Sequence, residues 1–113
     1  MVIGDTKFAS ATASTSSTAQ TSIATLTAAD FNTAKLVISA KDTTTNEIHS
    51  CEMLVIHNGT NAYATEYAVV YSGSDELATY DVTLSGASVY IQATPASSNA
   101  TDFVVTQVLN LTA

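Results

Sequence analysis

The sequence has no arginine and no tryptophan, and only one cysteine and one proline among its 113 residues. Its cations are Lys7, Lys35 and Lys41 against ten acidic residues, so the net charge is −7. Binding to nucleic acid or to an anionic membrane needs clustered lysine and arginine, so we expect neither partner. A single cysteine, Cys51, also excludes a disulfide within the chain.

Long apolar stretches are missing as well. No run approaches the ~20 residues that a membrane-spanning helix needs. Gly4 and Asp5 lie where a signal peptide would have its apolar stretch, so no secretion signal is expected. Because the chain begins with Met1, we expect a complete gene product. The single cysteine and the missing signal peptide lead us to expect synthesis in the cytoplasm without secretion.

What the sequence does have is threonine, serine and apolar residues. The hydrophobic fraction is 46%, near that of globular proteins, while the charged fraction is only 12%. Threonine is β-branched and fits the solvated face of a strand, so this composition favours sheet over helix. The chain is therefore predicted to be all-β.

Alternating apolar and polar residues predict about seven strands from residue 21 onward. The strands are expected near residues 21–27, 34–42, 47–57, 62–72, 77–84, 87–94 and 102–111. Asn58-Gly59, flanked by two of these strands, is a strong hairpin signal. Short strands at this spacing, joined by polar turns, indicate an antiparallel β-sandwich over residues 21–113.

Residues 1–20 have a different character. The stretch from Ala9 to Gln20 is a low-complexity run of small polar residues with little to bury. It is predicted to be a flexible or extended N-terminal arm, either disordered or ordered only against a neighbouring subunit.

The sequence offers weak candidates for metal binding and catalysis. A candidate metal set on one predicted face of a strand is Glu47, His49, Cys51 and His57, but residues along a strand lie in a row and do not converge on an ion. Glu52 and Glu66 lie across the Asn-Gly hairpin and are interpreted as solvent-face acids. No nucleophile motif occurs, so we predict no catalytic residues, no metal, no cofactor and no enzymatic activity.

Tyrosine gives the strongest candidate for a binding surface. Tyr63, Tyr67 and Tyr71 are predicted to share a face of one strand, and Tyr90 lies on another. Tyrosine stacks through its ring and forms hydrogen bonds through its hydroxyl, which suits sugar platforms, core edges and subunit interfaces alike. We predict that these four residues form a binding interface.

Three segments resemble a β-sandwich module of virion structural proteins from marine tailed phages, notably cyanophages. They are EMLVIHNGTNAYATEY at residues 52–67, TPASSNAT at residues 94–101 and ADFNTAK at residues 29–35. The resemblance covers about residues 20–111, with Asn58 where the module has aspartate. It implies a virion location and supplies no catalytic or ligand residues.

Two functions follow from this resemblance. In the first, the protein is a capsid decoration (cement) protein that forms homo-oligomers and binds the major capsid protein or another virion protein. The alternative is a tail, neck or fibre component, or an adhesion module that binds a host glycan through its tyrosines. Both make the protein a structural part of the virion.

Overall fold

The computed structural model describes residues 1–111, which form nine strands and one short 3-10 turn, Ala28–Asp30. In chain order the strands are β1 Val2–Ile3, β2 Thr6–Thr15, β3 Thr21–Thr27, β4 Phe31–Asp42, β5 Ile48–His57, β6 Ala62–Tyr71, β7 Ala78–Ser85, β8 Ser88–Pro95 and β9 Thr101–Leu111. No helix within the described part is long and apolar enough to cross a membrane.

The strands form two sheets. One has six strands in the order β1-β2-β9-β4-β5-β6, and the other has three in the order β3-β8-β7. Every neighbouring pair is antiparallel. The predicted all-β antiparallel sandwich is confirmed, with nine strands instead of about seven.

The predicted hairpin around Asn58-Gly59 joins β5 to β6. Gly59 has a φ of 88°, which is costly for any residue with a side chain. The Asn58 side-chain oxygen accepts hydrogen bonds from the backbone N–H groups of Thr60 and Asn61, at 2.9 and 2.8 Å. This local chemistry reverses the chain without help from the rest of the fold.

The N-terminal segment differs from its prediction. Residues 6–15 form β2, which pairs with β9 of the same chain over ten residue pairs. The segment is extended, but it does not stand apart from the sandwich or need a neighbouring subunit to order it. Ala9, Ala11 and Ala13 pack against the core while serine and threonine face outward, and alanine gives too weak an apolar signal for this alternation to be seen in the sequence.

The core lies between the two sheets. The six-stranded sheet contributes inward residues from its central strands, including Leu36 and Ile38 of β4, Val55 of β5 and Phe103 of β9, all at most 1% exposed. The three-stranded sheet covers them with Ile23, Leu26, Val89 and Ile91. Burial of this continuous apolar layer is the main stabilising contribution to the fold.

Loops at one end of the sandwich are joined through Asp42. One of its carboxylate oxygens accepts hydrogen bonds from the N–H groups of Thr44 and Thr45, and the other accepts one from the Asn99 amide at 2.9 Å. The Asn99 hydrogen bond, the largest cause, lowers the pKa of Asp42. This carboxylate therefore ties the β4–β5 turn to the β8–β9 loop.

Candidate functional site

Strand β6 contains a bulge that decides which way its tyrosines point. Tyr67 lies opposite Glu52 of β5, but Val70 lies opposite Ser50, so Ala68 and Val69 together oppose one residue. Ala68 adopts a φ of 53°, a left-handed conformation that is unfavourable for a residue with a Cβ. The additional residue shifts the alternation of side chains by one position.

The four predicted tyrosines therefore do not share one surface. Tyr63 and Tyr67 lie on the outer face of the six-stranded sheet, opposite Ile56 and Glu52. Tyr71, beyond the bulge, lies opposite His49 on the inner side. The centroids of the two rings are 6.1 Å apart, and the rings pack edge to face. The prediction that Tyr71 shares a face with Tyr63 and Tyr67 is wrong, because the bulge reverses the alternation.

Tyr90 lies on the other side of the molecule. It belongs to β8, whose inward residues are Val89 and Ile91, so Tyr90 is on the outer face of the three-stranded sheet. The structure thus brings Tyr63 and Tyr67 together and places the other two tyrosines elsewhere. A binding role for each of the four stays a prediction.

The outer face of the six-stranded sheet is unusually apolar. Nine large apolar side chains on it are exposed, and we call this set the apolar outer face: Phe8, Val37, Ile48, Leu54, Ile56, Tyr63, Tyr67, Val70 and Val104. The ladder registers place them on β2, β9, β4, β5 and β6, where polar positions such as Lys35, Glu52 and Ser50 lie between them. Ile56 and Tyr63 lie directly opposite each other on β5 and β6.

A shallow groove lies on the apolar outer face at the β6 edge. It has a volume of about 200 Å³ and is lined by Leu54, Ile56, Tyr63, Ala64 and Thr65. Tyr63 is 51% exposed and Ile56 is 46% exposed. An aromatic ring beside aliphatic side chains offers a stacking surface for a flat apolar group, either a protein side chain or the face of a sugar.

One ion pair lies within the apolar outer face. Lys35 of β4 contacts Glu52 of β5 at 2.9 Å, and both side chains are partly exposed. The hydrogen bond to Glu52, followed by its charge, raises the pKa of Lys35. The pair therefore places two opposite charges side by side among the exposed apolar residues.

The inner side of the same sheet edge is polar. A cleft of about 280 Å³ between β6 and β7 is lined by Glu66, Tyr80 and Asp81 among apolar neighbours. Glu66 lies opposite Met53, which is a core residue, whereas Glu52 faces outward. The two acids considered as a pair in the sequence are therefore on opposite faces of the sheet and do not share a substrate.

Cys51 and Tyr80 lie deeper in this region. Burial, with a contribution from Glu66, raises the pKa of the Cys51 thiol to about 12, so the sulfur stays protonated and weakly nucleophilic at neutral pH. Burial also raises the pKa of Tyr80, whose hydroxyl has no hydrogen-bond partner within residues 1–111.

The two histidines on β5 have separate structural roles. His57 accepts a hydrogen bond from the Gly59 N–H at 3.1 Å through Nδ1, and its Nε2 then donates to the Phe31 carbonyl. His49 is fully buried and accepts a hydrogen bond from the Leu77 N–H through Nδ1. Within the described residues no group of three histidine, cysteine or acidic side chains is placed to hold a metal ion.

The residues that sequence reasoning missed are the aliphatic members of the apolar outer face. Leu54 and Ile56 belong to the run Met53-Leu54-Val55-Ile56, which is apolar at successive positions. Strict alternation predicts polar residues on the outward side, so an unbroken apolar run indicates a strand that is buried on both faces. That signal is present in the sequence, whereas in the structure Leu54 and Ile56 are 41% and 46% exposed.

No protein-family model matches the chain, and the search of the curated proteins gives no match. Similar solved structures exist. One is the tailspike protein gp49 of the Acinetobacter baumannii bacteriophage Fri1, a capsular polysaccharide depolymerase, with a TM-score of 0.53 and 18% identity over 95% of this chain. Another is the tailspike protein of the Acinetobacter phage vB_ApiP_P1, with a TM-score of 0.54 and 16% identity over 95% of this chain.

The chain spans only 18% and 22% of the lengths of these two tailspikes. At such low identity the likeness shows the fold alone. Both neighbours are phage proteins, in line with the resemblance noted in the sequence, but they come from Acinetobacter phages and not from marine cyanophages. Neither is a capsid protein, so they lend no support to capsid decoration.

One expectation is overturned by this comparison. The absence of a nucleophile motif and of a convergent polar cluster led to the prediction that the protein is not an enzyme. The same fold occurs within a tailspike that is a capsular polysaccharide depolymerase. That prediction is therefore contradicted, and the absence of a motif in one β-sandwich is too weak a reason for it.

Proposed function

We propose that the chain is a phage virion structural protein of the tail, and that it joins other virion subunits through the apolar outer face. The observation that carries the proposal is the set of nine exposed large apolar side chains on one side of the six-stranded sheet. Covering them with another subunit would remove this apolar surface from water, which is the main favourable term in most protein association.

The tail location is favoured over the capsid by the fold. Two tailspikes contain a unit of this shape, and in both it is a small part of a longer chain. A unit that accounts for about a fifth of a tailspike fits a role as a connecting or presenting module.

Copy number in purified particles separates the two locations. Quantitative mass spectrometry should give an amount comparable to that of known tail proteins. An amount comparable to that of the major capsid protein would instead indicate decoration of the shell and would contradict the tail proposal.

The role of the apolar outer face is tested by a matched pair of substitutions. Leu54→Lys places another positive charge on this face, opposite Lys35, whereas Thr79→Lys places one on the exposed outer side of β7 in the other sheet. Both positions are exposed, so both variants should fold. We expect the first variant to be depleted from assembled particles and the second to be incorporated normally; equal incorporation of the two would refute the proposal.

A second candidate function is binding of a capsular polysaccharide through Tyr63 and Tyr67. It is favoured by the exposed Tyr63 ring beside the Leu54–Ile56 groove and by the presence of this fold in a capsular polysaccharide depolymerase. Titration calorimetry with purified capsular polysaccharide should show binding that is lost in Tyr63→Ala and Tyr67→Ala. Tyr90→Ala is the control, because Tyr90 is on the opposite side of the sandwich; equal loss in all three variants would contradict a Tyr63–Tyr67 site.

A further inference from the structure

The β6 edge of the six-stranded sheet has no neighbouring strand within residues 1–111. At the hairpin the Asn58 N–H bonds to the Asn61 carbonyl, which fixes the alternation of the ladder. In an antiparallel ladder, residues at every second position direct their N–H and C=O groups away from the paired strand. In β6 these positions are Ala62, Ala64 and Glu66, so their backbone groups point outward from the sheet.

This edge has few of the features that usually prevent strand addition. Natural edges are protected by lysine, by proline, by shortness, by bulges or by inward-pointing charges, and β6 has the last two, at Ala68 and Glu66. At the opposite edge, β1 pairs only with Thr6 and Lys7, so β2 from Ala9 to Thr15 also has no second neighbouring strand among the described residues. Strand β6 has ten residues with no lysine or proline, and it is exposed from Tyr63 to Tyr71. Only the bulge at Ala68 interrupts it, which leaves residues 62–67 as a regular edge.

We propose that this edge pairs with β6 of a second copy of the chain, antiparallel and centred on Ala64. In that register Ala64 lies opposite Ala64, and Ala62 lies opposite Glu66 of the second copy. A register centred on Glu66 would oppose two carboxylates, which is destabilising in a cross-strand pair. The register centred on Ala64 uses all three outward-pointing positions and ends before the bulge.

The side chains on this edge favour a second copy as the occupant. The register places Tyr63 opposite Thr65 of the second copy on the outer face, and the symmetric pair repeats it, as an isologous two-fold contact requires. Thr65 lines the groove formed with Leu54 and Ile56, so the tyrosine of each copy lies beside the groove of the other. The two apolar outer faces then become one continuous surface across twelve strands.

The net negative charge of the protein opposes this pairing. Each copy carries a net charge of −7, and Glu66 is the one charged residue of β6. Repulsion between the copies therefore acts at long range and is screened by salt. Dimerisation is expected to strengthen as the salt concentration rises.

The decisive experiment is sedimentation velocity over a concentration series of the full chain. Ala64→Pro removes an N–H that points away from β5, so the monomer keeps its ladder and folds, as proline is tolerated on strand edges. The wild type should dimerise, and this variant should dissociate at least about tenfold more readily, because two intermolecular hydrogen bonds are lost. A wild type that stays monomeric at every salt concentration, or an unaffected variant, would overturn the proposal.

Thr65→Pro is the matched control. The Thr65 N–H faces Leu54 of β5, so this substitution removes a bond inside the monomer and should lower thermal stability, whereas Ala64→Pro should leave it nearly unchanged. If the two prolines have the same effect on thermal stability, the assignment of outward-pointing groups is wrong.

Charge substitutions test the register. Ala62→Lys puts an ammonium group opposite Glu66 of the second copy and should tighten the dimer severalfold. Ala64→Lys puts two like charges opposite each other on the symmetry axis and should weaken it by a similar factor. Tightening by Ala64→Lys instead of Ala62→Lys would overturn the register centred on Ala64.

Discussion

The two outer faces of the sandwich differ in chemistry although they enclose the same core. The three-stranded sheet presents mainly small polar residues outward, at Thr25, Thr27, Thr79, Asp81, Thr83, Ser85, Ser88, Tyr90, Gln92 and Thr94. The six-stranded sheet presents the apolar outer face. The outer face of the three-stranded sheet is thus polar and suited to contact with water. The outer face of the six-stranded sheet is the surface through which we expect the protein to bind other subunits.

The difference is informative because the backbone is the same on both sides. Antiparallel sheets can face water on one side at no cost when the outward residues are polar, as threonine and serine are here. Outward valine, leucine, isoleucine and tyrosine leave apolar surface in water in the isolated chain. Their presence on one sheet alone is the reason for proposing that this sheet contacts another molecule.

Two successive residues of β4 give the largest expected effect and separate the inner from the outer face. Ile38→Ala leaves a cavity at a fully buried site and should cost about 2–5 kcal/mol of unfolding free energy. Val37→Ala, on the apolar outer face, should change it by less than about 1 kcal/mol. Urea unfolding of the isolated chain measures both values; equal costs would mean that Val37 is already covered.

His49 tests whether the interior shared by the two sheets excludes water. Burial, opposed in part by Glu76 and Glu66, lowers the pKa of His49 from its ordinary value of 6.5. The unfolded chain therefore binds a proton that the folded chain does not, so stability is full above pH 6.5 and falls as the pH drops toward the lowered pKa.

The slope should reach at most about 1.4 kcal/mol per pH unit. Urea unfolding between about pH 5 and 7 measures it, and this window lies largely above the titration range of the carboxylates. The His49→Gln variant should show a flatter profile. A wild type with no pH dependence in this window would show that the imidazole is hydrated in the folded state.

The bulge in β6 tests which tyrosines belong to the apolar outer face. Ala68 has a φ of 53°, which glycine adopts without steric cost. Ala68→Gly should raise the unfolding free energy by up to about 1 kcal/mol, and Ala68→Val should lower it. The opposite order in thermal unfolding would mean that Ala68 is not left-handed and that Tyr71 joins Tyr63 on the outer face.

The smallest effect is expected from the ion pair on the apolar outer face. Lys35 and Glu52 are both partly exposed, and such pairs contribute little because water and salt screen them. Lys35→Met should leave the urea midpoint of the isolated chain unchanged within error while making this face more apolar. A large loss of stability would show that the pair is shielded from solvent in the isolated chain.

Much of the fold could be predicted from local signals. The strands from β3 to β9 follow from alternation, and the hairpin after β5 follows from Asn58-Gly59. Strand β2 was missed because its inward residues, Ala9, Ala11 and Ala13, are small, so their burial depends on the neighbouring β9 more than on their own hydrophobicity.

The candidate site was predicted only in part. The tyrosines of β6 were identified, but the prediction that they share one face is wrong beyond Tyr67. The prediction of a common face assumes a regular ladder with strict alternation of side chains. A bulge breaks this alternation, and an alanine at the bulge gives no signal for it in the sequence. The aliphatic part of the apolar outer face is indicated by the run Met53-Leu54-Val55-Ile56, which is apolar at successive positions.

The sequence by itself determined the strands from β3 to β9, the Asn58-Gly59 hairpin and the acidic charge, because these depend on residues that are close together along the chain. The tertiary structure alone decided that residues 6–15 form a strand of the six-stranded sheet, that a bulge separates Tyr71 from Tyr63, and that exposed apolar residues of five strands lie on the same side of that sheet. These features depend on pairings between distant segments, such as β2 with β9, and on the register of each ladder. Only the folded chain fixes such pairings, because each is selected by the burial of the whole core.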